Sequence, residues 1–383
     1  MSQPSTSFSL LSCGSNSCGQ LGIGHKDDVD TLQPVLFQQS SDKDSPDTVR
    51  VTRVVAGGNH TLLLTHSGEV YWSGDSPAKS RSENAAPLQF SRFDIGAATS
   101  TTSDGWKPPF HVSLAAATLE ASIFVVGDAT GQTKVWSCGI GRKGELGLGE
   151  LRAAASVLSA ISDFPPPGTK LVDLSASLYH VVAVLDNGEA WGWGAGRKGQ
   201  LGDPSDAVIW SPRRFSGIPF SVARAVCGRE FTCFFGSPES GNIFIIGSDK
   251  DGIRSKAPSP STVGTWKDVG ASWHNVFVLK ANGTLEGWGK NNLAQLPPAN
   301  LTGVLQIAVG SEHAVALDST GAVTAWGWGK HGECGPGGDG TGHQNVIAPA
   351  GNLPDGSKVV GIGAGWATSW VIVEHAPTSY HPN

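Results

Sequence analysis

The sequence predicts an all-β fold, a seven-bladed β-propeller closed by pairing of its N- and C-terminal strands. Three observations predict it: a glycine-led phrase that recurs seven times, a second phrase ending in an apolar run that also recurs seven times, and one unpartnered apolar segment at each end of the array. One propeller is expected over 8–374, with flexible tails at 1–7 and 375–383.

The first phrase reads CGSNSCGQLG at 13–22, CGIGRKGELG at 138–147, WGAGRKGQLG at 193–202 and WGWGKHGECG at 326–335. Weaker copies are SGD at 73–75, IGSDKDG at 246–252 and WGKNNLAQL at 288–296. The leading glycines are therefore Gly14, Gly74, Gly139, Gly194, Gly247, Gly289 and Gly327. Glycine this regular marks points where the backbone takes a positive φ, or where other backbone packs too close for a side chain.

The second phrase appears as AGGNHTLLL at 56–64, ASLYHVVAVL at 176–185, GASWHNVFVL at 270–279 and VGSEHAVAL at 309–317. Three degenerate copies, AATLEASIFVV at 116–126, CGREFTCFF at 227–235 and AGWATSWVIV at 364–373, put Glu120, Phe231 and Thr368 where the others carry His. Short turns such as His66-Ser67-Gly68, Asp186-Asn187-Gly188 and Ser319-Thr320-Gly321 join this phrase to the next leading glycine. Ser-Gly and Asn-Gly suit tight turns, and the flanking Val, Leu, Ile and Trp suit strands buried on both faces, so each unit reads as a β-hairpin.

Segment 8–13 precedes the first complete unit, and segment 370–373 has no turn after it. Joining them makes one more hairpin, closes the ring and removes the exposed edges of an open array. The polar, Pro-rich stretches 38–48, 75–110, 203–214, 254–264 and 336–358 read as surface loops.

Composition limits the function. A formal charge of −6, with basic residues no denser than adjacent pairs such as Arg213-Arg214, argues against phosphate-driven binding, so no direct DNA contact is expected. No apolar run is long enough for a membrane span and no secretory leader is visible, which points to the cytoplasm and nucleus. The six cysteines contain no CxxC pair and lack zinc-site spacing, so neither metal nor cofactor is expected.

The phrases GxNxxGQLG and AGxxHtxxL resemble the signatures of the regulator-of-chromosome-condensation repeat family over about 8–374. That resemblance implies a seven-bladed propeller. Within the family, GSNSCGQLGIGHKDDVDT at 14–31, WGWGKHGECGP at 326–336 and AGWATSWVIV are similar to a fungal branch tied to alpha-tubulin suppression and killer-toxin insensitivity. The branch implies a heterodimer with a small zinc-binding electron carrier of diphthamide synthesis. It also implies support of Elongator-dependent modification of the transfer RNA wobble uridine.

Several constellations look like chemistry. His60, His180, His274 and His313 occupy equivalent repeat positions in different blades, so they read as imidazoles satisfying backbone groups within each blade, and not as one ligand set. The run Lys330-His331-Gly332-Glu333-Cys334 sets imidazole, carboxylate and thiol together, but Cys334 stands at the Leu position of the sister copies Leu21, Leu146 and Leu201 and no oxyanion motif accompanies it. The acidic loop at 25–30 lacks the glycine and terminal Glu of a calcium loop.

These residues read instead as a docking surface. Its expected members are His25, Asp27, Asp28 and Asp30 from the first repeat loop, with Trp328, Lys330, His331 and Glu333 from the last, which ring closure makes neighbours. No catalytic residue is expected. The main reading is a non-catalytic interaction scaffold. The alternative is guanine-nucleotide exchange on a small GTPase with a chromatin or microtubule role, weakened by the absence of Lys and Arg from residues 1–7. A propeller hydrolase would need paired axial carboxylates, and the acids here are scattered.

Overall fold

The computed structural model describes residues 7–38, 49–75, 88–98, 108–349 and 356–376. Seven antiparallel sheets form seven blades around one axis. In chain order, the innermost strands are Val51–Ala56, His111–Ala117, Leu171–Ala176, Arg224–Cys227, Trp266–Ala271, Val304–Val309 and Lys358–Ala364, opening blades one to seven. All seven line an axial channel of about 340 Å³.

Closure is made by the seventh blade, in which Lys358–Ala364 and Thr368–His375 come from the C-terminal end and Ser7–Gly14 and Val29–Pro34 from the N-terminal end. The closing ladder runs from Ser7 opposite His375 to Gly14 opposite Thr368. The sequence assigns Ser7 and His375 to flexible tails; both are ladder residues, and the His375 ring bridges the hydroxyls of Ser9 (2.8 Å) and Ser357 (2.9 Å). Tail positions 1–6 and 377–383 lie outside the described residues.

The leading glycines explain the repeat. All seven have φ between 91° and 122°. At Gly327, for example, a Cβ would sit 2.5 Å from the Glu312 carbonyl oxygen, so an L side chain meets both strain and backbone. The same kink lets the following amide donate to the residue just before the middle strand, as in Trp328 to Glu312 (2.9 Å), Ala195 to Tyr179 (2.7 Å) and Ser15 to Ala367 (2.8 Å). Each glycine-led loop is thereby tied beside its blade's inner turn, on one common face of the ring.

Two sequence expectations need correction. Middle strands begin at His60, Ala121, His180, Phe231, Asn275, His313 and Thr368, each opposite a leading glycine. His274 and Glu120 therefore lie one residue before the repeat position, which Asn275 and Ala121 fill. The imidazoles also reach between blades and not within them. The Nε2 atoms of His60, His180 and His313 lie 2.8, 3.2 and 3.1 Å from the hydroxyls of Ser122, Thr232 and Ser369 in the next blade.

The hydroxyls fix the tautomer. Thr232 donates its one proton to the Gln200 carbonyl (2.7 Å) and Ser369 donates to that of Glu333 (2.6 Å), so each must accept from His Nε2–H. Burial pushes all three imidazoles down to about 4, consistent with a neutral ring. Trp193 and Trp326 are fully buried and bind the blades in the same manner, donating to the carbonyls of Glu145 (2.8 Å) and Gln295 (3.1 Å) in the preceding blade.

Three stretches read as loops contain fourth strands, Ser91–Arg92, Val208–Arg214 and Gly342–Ala348. Blade six's outer strand, GHQNVIA, is polar and alternately exposed, so it lacks the continuous apolar run of the inner strands. Within the stretches read as loops, 39–48, 76–87, 99–107 and 350–355 lie outside the described residues. Among the described residues no helix is long and apolar enough to cross a membrane.

Candidate partner-binding face

The seam between blades six and seven assembles the loops that the sequence singles out. Asn16, fully buried, knits the first loop: its backbone amide donates to Asp28 Oδ1 (2.7 Å), its side-chain amide donates to the His25 carbonyl (2.7 Å), and its Oδ1 accepts from the Leu21 amide (3.0 Å). Sequence reasoning passes over Asn16, although the family phrase GxN marks it. Asp28 turns its second oxygen to the other loop, where His331 Nδ1 lies 2.8 Å from Asp28 Oδ2.

Gly332 completes the seam. Its φ is 93°, and a Cβ there would strike the Val29 carbonyl oxygen at 2.5 Å and Asp30 Cα at 2.6 Å, so the two loops touch backbone to backbone. Trp328 ends the strand Val323–Trp328 half-buried, with its ring edge-on to His331 at 5.3 Å between centroids. Asp27, Asp30 and Lys330 are exposed, and His25 is half-buried beside Asp27 (3.7 Å).

Glu333 does not belong to the surface. It is fully buried, and its Oε2 accepts from the His331 amide (2.9 Å), closing the turn from inside. Gln20, Gln200 and Gln295 do the same for Cys18, Lys198 and Leu293, each at 2.9 Å, and Glu145 does so for Lys143 at 2.7 Å. The position is thus a turn cap in which Glu replaces Gln. Burial, the largest cause, raises the Glu333 carboxyl to about 7 against the pull of its backbone hydrogen bonds, and its Oε1 has no hydrogen-bond partner.

The neighbouring thiols are structural in geometry. Cys13 and Cys334 are fully buried; burial, with Glu333 and Asp30 adding, pushes Cys13 up to about 12, and burial likewise raises Cys334. A thiol held this far from its thiolate is a poor nucleophile at neutral pH. Among the described residues, no group of three or more His, Cys, Asp or Glu side chains is placed to hold a metal.

Around the axis on the same face, the inner turns of adjacent blades are linked by backbone hydrogen bonds: Gly58 to Leu119 (3.1 Å), Leu119 to Leu178 (3.2 Å), Arg229 to Trp273 (3.0 Å), Trp273 to Ser311 (2.9 Å) and Ser311 to Trp366 (3.2 Å). Trp273 and Trp366 meet edge to face at 5.1 Å. His274, beside this ring, is held between Asp251 (3.2 Å) and Glu312 (3.5 Å), and burial, the largest cause, together with Lys290 and Lys250 lowers its pKa against the pull of both carboxylates.

Seven blades on one register, with every glycine-led loop and inner turn on a common face, define a closed repeat propeller that presents loops for recognition. The chain belongs to the regulator of chromosome condensation (RCC1) repeat family. Two models of that repeat match it, one over residues 9–64 and 187–235 and the other over 171–200 and 304–333. An RCC1 repeat-containing protein of Schizosaccharomyces pombe is 30% identical over 376 residues, covering 95% of this chain and 99% of that protein. The secretion-regulating guanine nucleotide exchange factor of Mus musculus is 26% identical, covering 93% of this chain and 82% of that protein. Among solved structures, Prp20p of Saccharomyces cerevisiae shares the fold with a TM-score of 0.73 at 18% identity, over 96% of this chain and 91% of that one.

Proposed function

We propose that this chain is a non-catalytic protein-interaction scaffold that docks a small partner on the seam between blades six and seven. The observation that carries the proposal is the contact of Asp28 with His331, 303 residues apart in sequence, which holds Trp328, Lys330, Asp27 and Asp30 together as one rigid patch. A half-buried Trp ringed by exposed charges is the composition of a binding hot spot. The buried thiols and the structural role of the recurrent imidazoles support the absence of catalysis.

The resemblance to the fungal branch supports a specific partner: a small zinc-binding electron carrier of diphthamide synthesis, bound as a heterodimer, in support of Elongator-dependent wobble-uridine modification. Trp328→Ala is expected to weaken binding of that carrier by about 2 kcal/mol, the scale of a desolvated aromatic anchor. Reversing Asp27 and Asp30 to Lys should mainly slow association and change its salt dependence, because both are exposed at the rim. Titration calorimetry and stopped-flow measurements on variants with unchanged circular dichroism decide the matter; full affinity in both variants rejects the patch.

The relationship to a guanine nucleotide exchange factor supports a second reading, exchange on a small GTPase. Acceleration of labelled-nucleotide release from a GTPase by the purified chain, with no affinity for the carrier, would favour it.

A further inference from the structure

We infer that the loop face carries a second docking surface, on blades two to four, for an acidic segment of a partner protein studded with apolar residues. It is built from six cations, five of them in repeated register. Arg142 and Lys143 follow Gly139, Arg197 and Lys198 follow Gly194, Lys250 follows Gly247, and Arg229 stands in the fourth inner turn. All six are exposed. This arc lies across the ring from the acidic loop of blade seven, so a chain of net charge −6 presents a face with two opposite poles.

The arc is preorganised and only partly compensated. The amides of Lys143 and Lys198 are locked by the turn caps Glu145 and Gln200, which fixes where the side chains start. Of the nearby acids, Glu120 pairs with Arg142 (3.4 Å), Asp249 caps the amides of Arg254 (2.7 Å) and Ser255 (2.9 Å), and Glu312 and Asp251 hold His274, while Glu230 stands beside Arg229. Among the described residues, Arg197, Lys198 and Lys250 form no ion pair. Unpaired cations held on rigid turns attract acidic partners and set their orientation.

A protein segment fits better than a nucleic acid. Base stacking needs open aromatic faces, yet Lys143 Nζ sits 3.5 Å above the Tyr179 ring and the Arg229 guanidinium 5.5 Å over Trp273. The adjoining inner turns instead offer Leu119 and the half-buried Trp273 and Trp366, an apolar centre beside the cations. Apolar side chains between carboxylates complement that arrangement.

The test uses the full chain with charge reversals Arg197→Glu, Lys198→Glu and Lys250→Glu. A control carries Lys170→Glu, Lys267→Glu and Lys358→Glu near the starts of the inner strands, at the opposite end of the channel, and makes the same change in net charge. The probes are a labelled peptide alternating glutamate with leucine, its glutamine counterpart and an oligouridylate, followed by fluorescence anisotropy. Binding of the glutamate peptide alone is expected, weakened about tenfold or more by the arc reversal and unaltered by the control or by Trp328→Ala. Equal binding to the arc variant and the control overturns the inference, as does preference for the glutamine peptide or for the oligouridylate. Because Trp328 lies outside the arc, failure here leaves the blade-seven seam untouched.

Discussion

Single residues carry the pH response. Glu333 has its folded pKa raised to about 7 by burial, so the native state binds a proton that the unfolded state releases near the ordinary 4.5. Its favourable contribution is complete below about 4.5 and is lost as pH rises toward 7. Glu333→Gln, which mimics the caps at Gln200 and Gln295, should stabilise the chain at pH 8 by about 2 kcal/mol and have little effect at pH 4.5, read from urea midpoints. The three interblade imidazoles work in the opposite sense. Their pKa values fall from 6.5 to about 4, so their contribution is complete above 6.5 and is lost as pH drops through that window.

The chain contains its own control for that second effect. Phe231 occupies the imidazole position in blade four over Gly228, just as His313 stands over Gly310. His313→Phe should therefore fold, and should lose less stability than the parent between pH 6.5 and 4. An undiminished acid loss in this variant would mean that the imidazole is not the titrating group. The position itself was legible from the AGxxH phrase at His60, His180 and His313. At His274 the phrase misleads because His and Asn are adjacent there, and pairing with Gly289 shows that Asn275 takes the slot. Glu333 is hidden from sequence reading because charge in a turn ordinarily faces water, whereas here it caps the turn from within.

Among the elements, the closing ladder has the largest consequence. It joins Ser7–Gly14 to Thr368–His375 over eight residue pairs, and Leu10, Trp370 and Ile372 pack in one core cluster with Leu63 and Tyr71 of blade one. Removing residues 1–14 would bare the Thr368–His375 edge and empty part of that cluster, so thermal unfolding should shift well downward and broaden. An unchanged midpoint would show that closure is dispensable. The closing strands were legible because both are apolar and lack hairpin partners. Outer strands such as Gly342–Ala348 were not, since an edge strand with few buried positions carries a weak signal.

At the scale of the whole molecule, the ring turns local repeats into a shared face. Seven glycine-led loops and seven inner turns fall on it because every leading glycine makes the same kink and the same hydrogen bond. Ring order was enough to make the first and last loops neighbours, but not to reveal Asn16 or Gly332, which hold them in contact through buried backbone geometry. The most direct measurement is hydrogen–deuterium exchange on the chain alone and in complex with the small zinc-binding carrier. Slowed exchange concentrated at residues 25–30 and 328–333 is the expected result, and protection confined to the opposite face, or none anywhere at saturation, would contradict docking at the seam.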